Sequence, residues 1–178
     1  DMFATSSSDR VVHVCKVGVQ GNAALATFIG HSNEINSVCW SPDGRLVASS
    51  SDDATAKVWS VDKGLVHDLR GHVKEVFSAC WTVMSQGTVN AVTFLCTASF
   101  DGTVKVWSTE SGNLVHNLKR SMQPCYSLAA NPEGTLLAVG SLKGYVSLWN
   151  LKDGSLVREF KEPGDTFNVS WSHDGKML

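Results

Sequence analysis

Three side chains with obvious chemical potential are His72, Ser99 and Asp101, carried by the stretches GHVKEVFSACW from Gly71 and SFDGTVKVWSTESG from Ser99. A histidine, a serine hydroxyl and a carboxylate are the parts of a hydrolytic triad: the imidazole takes the hydroxyl proton and the carboxylate orients the imidazole. The same types recur upstream as His31, Ser49 or Ser51, and Asp53. Each aspartate is followed six residues later by a tryptophan, Trp59 and Trp107. Duplication argues against catalysis, because an enzyme rarely carries its triad once per repeat. A buried imidazole, carboxylate and indole N–H must instead find partners, and they satisfy one another. No catalytic residue is expected.

Other reactive groupings carry less. Asp52 and Asp53 are adjacent carboxylates, but the second belongs to the His–Asp set and the first sits on an exposed turn, so no metal site is expected. No glycine-rich phosphate loop joins a strand to a helix, and Gly102, Gly112, Gly144 and Gly154 read as turn glycines. The five cysteines are odd in number, lack CxxC spacing and sit in apolar runs, which fits reduced thiols in an intracellular compartment. A net charge of −2 provides no electrostatic grip on nucleic acid or an anionic membrane, and no apolar run is long enough for a membrane span. No cofactor is expected.

The elements that position these residues come in repeats. SDDATAKVWS, SFDGTVKVWS and SLKGYVSLWN align on Trp59, Trp107 and Trp149, and an earlier copy, SSDRVVHVCK, has Cys15 in the tryptophan slot. A second landmark keeps step: VCWSPDG from Val38, LAANPEG from Leu128 and VSWSHDG from Val169. Within a copy, short alternating runs separated by turn residues give four strands and no helical periodicity. The class is all-β, and four-stranded units at this spacing predict propeller blades.

Three spaced tryptophans with Gly30-His31 and Gly71-His72 in phase resemble the WD-repeat family, although Ser60, Ser108 and Asn150 stand where its aspartate would be. The resemblance implies a WD-repeat β-propeller of about four blades, half of a seven- or eight-bladed disc, as a single unit over residues 1–178. Its blade parts are 1–29, 30–70, 71–119, 120–161 and an incomplete 162–178. It also implies a buried relay of His31, Ser49 (or Ser51), Asp53 and Trp59, repeated as His72, Ser99 (or Thr97), Asp101 and Trp107. The copy ending at Trp149 loses both ends of the relay together, with Ser121 and Lys143 in the His and Asp positions. Met84–Val92 replaces the usual turn. Lys57 and Lys105 alternate along third strands and are expected to point away from the channel.

Partner binding then falls on a face of the disc. The opening positions of the first strands are Asn36, Phe77, Tyr126 and Phe167, and the residues preceding the relay aspartate position include Asp52, Phe100 and Leu142. Glu34 and Glu75 surround them. Aromatic anchors in an acidic setting suit a peptide with a basic or apolar side chain. HVCKVG, VHDLRGHVKEVF, TASFDGTVKVW, QPCYSLA and TFNVSW resemble the C-terminal part of the transducin β-like corepressor family. This resemblance implies a nuclear adaptor in histone-deacetylase-containing corepressor complexes, binding corepressor subunits and histone tails, with the remaining blades or self-association covering its open ends. The alternative reading is the substrate-recognition subunit of a ubiquitin ligase, or a general WD-repeat scaffold.

Overall fold

Valine-rich alternating runs closed by Asp-Gly, Glu-Gly and Lys-Gly turns leave little choice but antiparallel meanders, and the computed structural model shows these. It describes residues 1–18, 24–85, 91–120 and 123–178, without the side chains of Ser85 and Ala91. The strands are β1 (Met2–Ser6), β2 (Val11–Lys16), β3 (Ala26–Ile29), β4 (Ile35–Trp40), β5 (Leu46–Ser51), β6 (Thr55–Ser60), β7 (Gly64–Arg70), β8 (Val76–Ser85), β9 (Ala91–Ser99), β10 (Thr103–Ser108), β11 (Leu114–Lys119), β12 (Cys125–Ala130), β13 (Leu136–Ser141), β14 (Tyr145–Asn150) and β15 (Leu156–Lys161). They form one three-stranded sheet, β1–β3, and three four-stranded sheets, β4–β7, β8–β11 and β12–β15. The sheets are the blades of a β-propeller. The one helical turn among the described residues is the 3-10 turn Leu142–Gly144.

Sheet stacks on sheet, and each tryptophan faces the sheet before its own. Trp59 joins Val12, Val14 and Phe28 of the first sheet, its indole stacked on Phe28 at 5.2 Å and 7°. Trp107 packs with Ala48, Ala56 and Val58 of the second, and Trp149 with Phe94, Val104 and Val106 of the third. Third strands are therefore covered on both faces: Thr55 through Trp59 and Thr103 through Trp107 are all buried. Fourth strands lie outermost, and β7 and β11 are largely exposed.

Indole bonds also lock blades together at two places. The Trp81 indole N–H donates to the Cys39 carbonyl at 3.1 Å, and that of Trp171 to the Ala129 carbonyl at 3.0 Å. A different bond ties the outer rim: His67 Nε2 lies 2.9 Å from the Thr109 carbonyl, and His116 Nε2 lies 3.1 Å from that of Leu151.

Two expectations change here. β8 and β9 pair as far as Ser85 opposite Ala91, so Met84–Val92 lengthens a hairpin, and residues 86–90 of that stretch lie outside the described residues. Thr166–Trp171, with its strand-like alternation, joins no sheet among the described residues and instead bonds to Ser127, Ala129 and Ser141 of the fourth blade.

Candidate functional site

The His–Asp sets are buried in two successive blades. His72 Nδ1 lies 3.0 Å from Asp101 Oδ2, His72 Nε2 lies 2.8 Å from Thr97 Oγ1, and the Trp107 indole donates to Thr97 Oγ1 at 3.0 Å. In the preceding blade, His31 Nδ1 lies 2.8 Å from Asp53 Oδ2. There His31 Nε2 lies 2.8 Å from Ser49 Oγ, which accepts the Trp59 indole N–H at 2.8 Å. The indole can only donate and the ionised carboxylate can only accept, so every proton runs one way, from tryptophan through hydroxyl and imidazole to aspartate. Both imidazoles are sealed, with side-chain exposures of 0% and 1%.

Electrostatics fit this assignment. Burial pulls the pKa of His72 down against the opposing pull of Asp101, which favours the neutral ring that the chain of donors requires. Burial also penalises the Asp101 carboxylate. Hydrogen bonds from the Thr103 hydroxyl, the Val73 amide and His72 outweigh that penalty and hold its pKa at about 2. Asp101 Oδ2 accepts the Val73 amide at 3.0 Å, and Asp53 Oδ2 the Ser32 amide at 3.0 Å, so each aspartate clamps the loop before the first strand. A glycine precedes each histidine because the indole occupies the space. A Cβ on Gly71 would meet Trp107 at 3.2 Å, and one on Gly30 would meet Trp59 at 3.0 Å.

The hydroxyl in the third blade is Thr97; Ser99, expected at that point, is a correction. Ser99 Oγ donates to the Lys74 carbonyl at 3.1 Å and accepts the Asp101 amide at 3.0 Å. The two side chains share one face of β9, but Thr97 is the one opposite Lys105 on β10, a position that faces the indole two residues on. The fourth blade solves the problem differently. Val139 fills the Thr97 slot, and the Trp149 indole donates to Ser147 Oγ on its own strand at 2.9 Å. Lys143, in the aspartate position, is backbone-bound to Asp165 Oδ1 at 2.6 Å and adopts φ 66°. Ser121, the residue in the histidine position, lies outside the described residues.

A repeated backbone irregularity presents the face. In all three four-stranded sheets the ladder between first and second strands slips at its first pair: Ile35/Ser37, Val76/Ser78 and Cys125/Ser127. The residues left unpaired are Asn36, Phe77 and Tyr126. A bulge re-aims its extra residue, here onto the face where the turns before the relay positions lie. Phe77 stacks on Phe100 with centroids 4.1 Å apart, Tyr126 lies 4.9 Å from Phe77 and 6.1 Å from Phe100, and Phe167 meets Tyr126 edge-on at 5.5 Å. Phe77, Phe100 and Tyr126 are half-buried, whereas Phe167 is 60% exposed. In the second blade Asn36 and Asp52 occupy the Phe77 and Phe100 positions. The Asn36 Nδ2 group donates to Asp52 Oδ1 at 2.6 Å and to the Val76 carbonyl at 3.1 Å.

Glu34 and Glu75 flank these pairs through their carbonyls, which accept the amides of Asp52 and Phe100 at 3.0 Å each. Leu142 is half-buried at the equivalent place in the fourth blade. Lys57 and Lys105 do not point into solvent. Lys57 is 3% exposed with its ammonium 2.6 Å from Asp68, and Lys105 is 6% exposed and donates to Asn117 Oδ1 at 2.9 Å. They share a strand face with the tryptophans, so the preceding blade covers them. Sequence reasoning missed both this burial and the bulges, and a lysine inside an otherwise buried strand was the only available signal of the former.

Successive antiparallel blades with a sealed His–hydroxyl–Trp network under one face define a class of protein. Matches to the family described as WD domain, G-beta repeat cover residues 22–60, 63–108 and 112–150, over half the chain, so it belongs to the WD-repeat family. It is 45% identical over 179 residues to the WD40 repeat-containing protein HOS15 of Arabidopsis thaliana, covering 99% of this chain and 29% of that protein. It is 41% identical over 179 residues to the F-box-like/WD repeat-containing protein TBL1X of Mus musculus, covering 99% of this chain and 34% of that protein. Similarity at 31% over 98 residues extends to the COMPASS component SWD3 of Saccharomyces cerevisiae, covering 55% of this chain and 29% of that protein. The chain thus spans about a third of the length of these first two relatives. None of the three names states a catalytic activity.

Proposed function

We propose that this chain is an interaction scaffold that holds a peptide segment on the face built by Phe77, Phe100, Tyr126 and Phe167, within a nuclear corepressor assembly of the transducin β-like kind. The observation that carries the reading is the convergence of these four rings on one partly exposed patch, two of them turned there by β-bulges. Rings left half-open to water lose exposure only when something covers them. The relay beneath serves as a structural staple, since its imidazoles are sealed from any substrate. The likeness to transducin β-like proteins supports corepressor subunits and histone tails as partners and the nucleus as the compartment. A phosphate-reading role, as in a degron receptor, finds less support, because Arg45, Arg70 and Arg120 already lie beside Asp43, Asp68 and Glu159.

The test is Phe77→Ala with Phe100→Ala in the full-length protein, with affinity for a histone-tail peptide and a corepressor peptide measured by calorimetry. Burying a phenylalanine contributes about 1.5–3 kcal/mol, so affinity falls at least about tenfold while the fold persists. Lys63→Ala, on the exposed turn between β6 and β7, is the neutral control. Unchanged affinity in a folded double variant moves the site elsewhere.

A further inference from the structure

The face has two unlike halves, and the second half dictates part of what the first can bind. Both hydrogen bonds from the Asn36 Nδ2 group are spent, one on Asp52 and one on the Val76 carbonyl. Towards a partner Asn36 therefore offers only Oδ1, an acceptor, and beside it Asp52 offers its free Oδ2, also an acceptor. Asn36 is exposed, and among the described residues Asp52, Glu34 and Glu75 form no ion pair. The second Asn36 bond ends on Val76, the residue next to Phe77, so the acceptor pair abuts the ring cluster. Charge on the surrounding loops leans the same way, with Glu34, Asp52, Glu75 and Asp165 against Lys74 and Lys143.

We infer that this face selects a peptide in which a lysine or arginine adjoins an apolar residue, the cation held by Asn36 and Asp52 and the apolar side chain seated on Phe77, Phe100 and Tyr126. A cationic side chain brings donors and no acceptor, which matches the acceptor pair, and its aliphatic stem or guanidinium plane lies well on the adjacent rings. A glutamate in the same place meets two acceptors and an anionic rim. This inference rests on the ring cluster being the binding site, and its test separates the two claims.

Short random peptides displayed on phage are selected on the immobilised protein and counter-selected on the Phe77→Ala/Phe100→Ala variant. The retained sequences are expected to pair an apolar residue with Lys or Arg. Resynthesised with Glu in place of that cation, they should bind about tenfold more weakly. Asp52→Lys should invert that order, and Asp52→Asn, which keeps an oxygen for Asn36, should flatten it, with thermal melts confirming that both variants fold. Retained peptides without a basic preference, or with one that Asp52→Lys leaves intact, overturn the inference and leave the ring site standing. Failure to retain any peptide that depends on Phe77 and Phe100 overturns both.

Discussion

Thr97→Val removes one hydroxyl at nearly constant volume, and the structure fixes what that costs. The Thr97 oxygen accepts from the Trp107 indole and its proton goes to His72 Nε2, so a donor and an acceptor lose their partners together. Thr97 and Trp107 are 0% and 4% exposed, and the His72 side chain 1%, so water cannot step in. An unsatisfied buried group costs about 1–3 kcal/mol, and two that share a site cost about 2–4 kcal/mol in sum. Valine leaves no cavity, so packing does not enlarge the figure. Thr97→Ser keeps the hydroxyl and loses one methyl, about 0.8 kcal/mol. Equilibrium urea unfolding followed by tryptophan fluorescence compares the two. A Thr97→Val variant no less stable than Thr97→Ser would refute the reasoning, because the hydroxyl would then carry no buried bond.

The remaining expectations use the same physics. Burial lowers the pKa of both His31 and His72 from 6.5, so below that pH the unfolded chain takes up protons that the folded one refuses. Their stability contribution is full above pH 6.5 and shrinks as pH falls, while Asp101 releases its own only below 3.8, as pH falls towards about 2. Melting temperatures should hold near pH 8 to 7 and decline from about 6.5 to 5; a flat or rising series contradicts the neutral-imidazole assignment. Trp81→Phe should destabilise more than Trp40→Phe by about 1 kcal/mol, since the Trp81 indole is bonded to Cys39 and that of Trp40 is buried without a partner among the described residues. Equal midpoints in denaturant would remove the inter-blade bond from the stability account.

Much of the architecture was legible because its cues are local. Trp59, Trp107 and Trp149 mark the third strands, and the Gly-His pairs mark the loops that the aspartates clamp. What sequence left open was set by two-residue periodicity and by neighbours distant along the chain. Thr97 and Ser99 stand on one face of one strand, and only the position of the Trp107 indole separates them. Lys57, read from its alternation as pointing away from the channel, is buried because the preceding blade lies over it. The bulges at Asn36, Phe77 and Tyr126 carry no shared residue type, since an amide, a phenyl and a phenol all occupy the same backbone irregularity. Thr166–Trp171 shows how an alternating run can pack on a blade without joining a sheet.

The indole bonds onto the first strands of preceding blades have a consequence for modularity. Trp81 and Trp171 each fasten to a main-chain carbonyl of the preceding blade, at Cys39 and at Ala129, and a carbonyl is the one feature every residue shares. At these two joins the coupling is therefore blind to the side chain it meets. The lengthened β8–β9 hairpin sits in one blade while the coupling to its predecessor keeps its 3.1 Å length, so cargo added to a blade need not disturb the pitch of the stack. Grafting a foreign blade into this series would thus have to match that join, the histidine bond on the outer rim and the tryptophan packed on the preceding sheet, and little of the chemistry displayed on the face above.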